Sequence, residues 1–147
     1  MKKLLILTSF ISFSTMAQTS ATLLLKGVVP EVFMVGIVSE QNATLLDLTT
    51  NQNDLKVATL NERSNHKLGY KISFSSENHG KLKNDSHSIT YTMKYGNQSV
   101  NLTGQSFNKV FTNASTVSSD LKISYSGSPD LASGTYTDTV TVTISAN

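Results

Sequence analysis

The feature that most constrains this chain is a two-residue hydrophobic period. Between residues 135 and 144, Tyr136, Val140, Val142 and Ile144 share one parity, and Thr135, Thr137, Thr139, Thr141 and Thr143 take the other. Successive side chains of a strand point to opposite faces, so the pattern predicts a half-buried strand. Asp138 is the one polar residue on the apolar parity, near the strand's start, where the edge of a domain can receive it. Ile89, Tyr91, Met93 and Tyr95 repeat the alternation within residues 88–95, as do Tyr70, Ile72 and Phe74, and Leu121, Ile123 and Tyr125. No stretch carries a helical period.

Weaker strands are read at 22–26, 32–38, 44–48, 55–60, 98–102 and 105–111. The 32–38 run is apolar on both parities, which points to a central position. Gly96-Asn97 supplies a hairpin turn, and further turn signals stand at 49–54, 78–80, 84–85, 127–130 and 133–134. This spacing predicts an all-β fold, an antiparallel Ig-like β-sandwich of about seven to nine strands, with a closed barrel as the alternative.

The N-terminus reads as a cleavable export signal. Met1-Lys2-Lys3 is a basic start, residues 4–13 are apolar, and Thr15 and Ala17 place small residues before a mature start at Gln18. Residues 18–147 then form one domain. Lys2 and Lys3 carry the whole formal charge of +2, so the mature chain is close to neutral and presents no basic surface for nucleic acid. No later segment is long and apolar enough to cross a membrane as a helix. The chain has no cysteine. The core must therefore hold without disulfides, and thiol catalysis and cysteine-ligated metals are excluded. Ser, Thr and Asn make up 51 of 147 residues, and charged residues only 15%, against about 25% in an average soluble protein. That balance suits exposed strand faces and turns.

No constellation for catalysis is visible. The histidines are His66, in the polar run 61–67, and His79 and His87, which bracket a turn holding Asp85. His79, Asp85 and His87 are the nearest approach to a metal site, but their spacing matches no ligand motif, and solvated turn histidines are the commoner case. Glu31, Glu40, Glu62 and Glu77 fall mostly in turns or at strand ends, and no serine stands in a nucleophile elbow. We expect no enzyme, no cofactor and no metal. Five Asn-x-Ser/Thr sequons are the chance product of an Asn/Ser/Thr-rich chain. Tyr70, Tyr91, Tyr95, Tyr125 and Tyr136 are read as core residues whose hydroxyls reach the rim.

The terminal run from Ser133 and Gly134 through Thr135, Tyr136 and Asp138 into the Thr/Val ladder resembles the last strand of spore coat protein U-type and fimbrial subunits. The segment 21–27, soon after the signal, is similar too, while the family's disulfide and penultimate aromatic are missing, the latter position being Ala146. The resemblance implies a sandwich lacking one strand, completed by the N-terminal arm of the next subunit during chaperone- and usher-type assembly. The arm would then be 18–26, with Leu23 and Leu25 filling the groove; the same residues equally suit the domain's own first strand. Two functions follow as expectations. One is an exported structural or adhesive fimbrial-type subunit that self-associates by strand exchange. The other is a monomeric periplasmic or secreted binding module with a complete sandwich, using loops at 77–85 or 111–119.

Overall fold

A computed structural model describes residues 19–110 and 115–147. The expected signal, residues 1–17, and part of the 111–119 loop lie outside the described residues. Among those described, nine strands follow one another: β1 (Phe33–Ser39), β2 (Gln52–Ser64), β3 (Tyr70–Ser76), β4 (Lys81–Asn84), β5 (His87–Tyr95), β6 (Gln98–Val100), β7 (Thr103–Lys109), β8 (Val117–Tyr125) and β9 (Val140–Ala146). All pairings are antiparallel. One sheet runs β1-β2-β8-β5-β4, with β6 also on β5, and the other runs β7-β3-β9. The predicted antiparallel β-sandwich is the observed fold.

The alternation explains the core. Tyr91 pairs with Tyr125, Met93 with Ile123 and Tyr95 with Leu121 across β5 and β8, and all six are buried. Their odd-numbered parity faces the second sheet, which contributes Tyr70, Ile72 and Phe74 from β3. Phe74, Tyr95 and Phe107 close the centre as an aromatic trio, Phe74 and Phe107 edge to face with centroids 5.8 Å apart. The turns follow their residues: Gly96 (φ +59°) makes the predicted two-residue β5–β6 hairpin. Gly69 (φ +81°) turns the chain between β2 and β3, where a Cβ would stand 2.0 Å from the Lys109 carbonyl oxygen.

Several expectations are corrected. Residues 44–48 are not a strand. Asp47 accepts hydrogen bonds from the Thr49 N–H (3.0 Å), the Thr49 hydroxyl (2.6 Å) and the Thr50 hydroxyl (3.0 Å). This local turn outcompetes strand pairing, and it leaves Leu46 and Leu48 packed against the core. Residues 22–26 form no strand among the described residues and are exposed. The 32–38 run becomes β1, an edge strand rather than a central one. Its outer apolar residues Met34 and Val38 stay exposed because no strand or layer covers them among the described residues. The supposed polar connection at 61–67 begins inside β2, where Glu62 and Ser64 keep the inward parity of Leu60. Residues 77–85 contain β4 rather than forming a free loop.

Candidate assembly edge and arm

The ends of the described chain create an unmatched pair of surfaces. β9 pairs with β3 along its whole length, Tyr70 opposite Ala146 through Ser76 opposite Val140. Its other edge pairs with no strand among the described residues. β1 likewise pairs only with β2. The two edge strands pack near one another without joining. Along this seam the apolar side chains are only half covered: Val140, Val142 and Ile144 from β9, and Phe33 and Val35 from β1. Ile37, on the same parity of β1, is exposed. An unpaired edge offers a row of N–H and C=O groups, and a half-covered apolar face beside it offers pockets for alternate side chains.

The arm is the complementary surface. Residues 19–32 precede β1 without helix or strand. Leu23 and Leu25, the two residues singled out from the sequence, are 81% and 82% exposed, and Leu24, Val28 and Val29 are exposed as well. Leu23, Leu25 and Val29 share one parity, so on extension they would project to one side together. Among the described residues the arm carries no strand.

Two carboxylates hold the interior on either side of β5. Asp138 accepts hydrogen bonds from the Ser76 hydroxyl (2.5 Å), the Tyr91 hydroxyl (2.7 Å) and the backbone N–H groups of Asn78 (3.0 Å) and Thr139 (2.8 Å). Just before it, Thr137 and Lys83 exchange both backbone hydrogen bonds at 2.9 Å. The last segment is thus stitched to β4 before it enters β9, which is why the predicted strand starts late. Glu62 is fully buried. It accepts a hydrogen bond from the Tyr95 hydroxyl, with Lys109 Nζ 3.8 Å away and 4.4 Å from the Tyr95 ring centre. Its Oε2 has no hydrogen-bond partner among the described residues. Burial pushes the Tyr91 and Tyr95 hydroxyls far up from the usual tyrosine value, and the neighbouring carboxylates Asp138 and Glu62 add to the shift. Of the other tyrosines, Tyr125 donates to the Asp47 carbonyl (3.0 Å) and Tyr136 to the Ala132 carbonyl (3.0 Å). Reading Glu62 as a strand-end residue missed its role. The signal was its parity, two positions beyond Leu60.

Among the described residues no metal-ligating cluster is assembled. His79 and His87 are exposed, at the β3–β4 turn and the start of β5, and no group of three His, Cys, Asp or Glu side chains gathers to hold an ion. No described helix is long and apolar enough to cross a membrane. No protein-family model and no curated protein sequence matches the chain.

Proposed function

We propose that this protein is an exported structural subunit of a surface fibre or adhesive layer, polymerising by strand donation. Residues 1–17 direct export, and the arm of one copy adds to the free edge of β9 in the next. The support is the coexistence of an exposed apolar arm with an unpaired, half-covered strand edge in one molecule. Each surface is unfavourable alone. A contiguous exposed apolar stretch is uncommon on a monomer, and an open edge invites pairing. Joined, they satisfy each other: main-chain bonds supply a new ladder, and each buried leucine contributes about 2 kcal/mol.

The test uses a peptide of residues 19–29 and a subunit lacking those residues. Calorimetric binding is expected for the native peptide, with protection from exchange along 140–146, and none for a peptide carrying Leu23→Asp and Leu25→Asp. Equal binding by both peptides, or protection elsewhere, would sink the reading.

A further inference from the structure

Donation to a second copy faces an internal competitor, because each subunit carries both arm and edge. We infer that Asn65, with the Glu31–His66 pair, clamps the root of the arm so that it cannot fold back into its own seam. The inference rests on the strand-donation reading and adds what directs the arm outward.

The register of β1 on β2 ends with Phe33 opposite Ser64. One residue further, β2 leaves the sheet for the turn at Gly69, and the ladder would be expected to stop. Asn65 extends it. Its N–H donates to the Val32 carbonyl (3.3 Å), its Oδ1 accepts from the Val32 N–H (2.7 Å), and its Nδ2 donates to the Pro30 carbonyl (2.7 Å). A side-chain amide is suited to this because it both accepts and donates. Pro30 adds a fixed φ and no N–H of its own. Beside it, Glu31 Oε1 stands 3.3 Å from His66 Nε2, while His66 Nδ1 is 2.8 Å from the Gly69 carbonyl and its ring lies 5.8 Å from that of Phe33. The His66 side chain is only partly exposed and anchored on three sides, so it is a stable post.

To lie along its own β9, the arm would have to reverse between residue 29 and β1. That reversal would pass through 30–32, where Asn65 holds both backbone groups of Val32 and the carbonyl of Pro30. Folding back therefore costs the clamp, whereas donation to a neighbour leaves it intact. Asn65 is a positioning residue: among the described residues its hydrogen bonds go to Val32 and Pro30, at the root of the arm.

The experiment refolds the exported protein from denaturant at low concentration. It measures the partition between monomer and multimer by light scattering, and hydrogen exchange at 22–29 in the monomer fraction. Wild-type monomer should exchange its arm freely. Asn65→Ala should raise the fraction of monomer with a protected arm by roughly tenfold, the scale of one or two net hydrogen bonds. Glu31→Gln should move it in the same direction by less. Asn65→Asp keeps the acceptor for Val32 and loses the donor to Pro30, so it should fall between; it also decides the matter if Asn65→Ala does not fold. Wild-type multimers with an unchanged partition in these variants overturn the clamp alone. Wild-type protein that never multimerises, whatever its arm does, overturns strand donation and the clamp with it.

Discussion

The corner around Asp138 and the seam between β1 and β9 are finished in opposite ways, although one stretch of chain builds both. At the corner, residues 137–139 meet β4, Ser76, Asn78 and Tyr91 through backbone and side-chain hydrogen bonds, and the carboxylate has partners on both oxygens. A few residues later, β9 has one paired edge and one bare edge, and Val140, Val142 and Ile144 are only half covered. On the strand-donation proposal, the corner is what the subunit completes by itself and the seam is what a second copy would cover.

The contrast can be broken at the corner first. Asp138→Ala should cost about 3–5 kcal/mol, because it strands the buried Tyr91 hydroxyl and removes several charge-assisted bonds. Urea denaturation of the subunit checks this, and a loss below about 1 kcal/mol would show that the corner is ornamental. Alkali probes the interior next. Tyr91 and Tyr95 hold their protons in the folded state above the ordinary value of 10.0. The unfolded chain releases its protons first, so this stability is fully present below about pH 10 and is lost as pH rises beyond it. Melting followed between pH 8 and 12 should show that decline, shallower in Tyr91→Phe. An unchanged slope in the variant would remove Tyr91 from the account.

A third substitution sharpens the seam. Leu60→Ala, in the sealed core, should destabilise the isolated subunit by about 3 kcal/mol, and Val142→Ala by about 1 kcal/mol, since its site is already half open. The order should narrow in the assembled form, where Val142 becomes covered. Denaturant midpoints of monomer and multimer compare the two, and an equal cost for Val142→Ala in both would argue that nothing docks there. The smallest effect is expected at the surface: Asp47→Ala loosens the 47–50 turn and should move the denaturant midpoint less than any of the substitutions above.

What was legible in the sequence follows from the range of each interaction. β5 and β8 could be read because parity is local: Ile89, Tyr91, Met93 and Tyr95 carry their burial in their spacing. The Thr44–Leu48 alternation misled because Asp47, Thr49 and Thr50 close a local turn whose hydrogen bonds the hydrophobic period does not report. Asp138 was visible as a polar residue on an apolar parity, whereas Glu62 falls within the polar run 61–67. Their partners Tyr95 and Tyr91 come from a strand about thirty to fifty residues away, and only the register of the sheets brings them together. Leu23 and Leu25 were legible as apolar residues of one parity, but where the segment before Pro30 runs was not. Asn65 carried no signal at all. Its role arises because β2 ends at Ser64, opposite Phe33 at the start of β1, so Asn65 meets the arm just before β1 begins.

The central claim is that the arm and the bare edge belong to different copies. The most direct measurement is light scattering of the purified protein alongside an unheated denaturing gel, for wild type and for the double variant Leu23→Asp, Leu25→Asp. The account predicts wild-type multimers in a ladder that collapses to one band on boiling, and a variant that remains a folded monomer with stability within about 0.5 kcal/mol of the wild-type subunit. A wild-type monomer that unfolds reversibly and cooperatively with no ladder, or a variant that fails to fold, would contradict it.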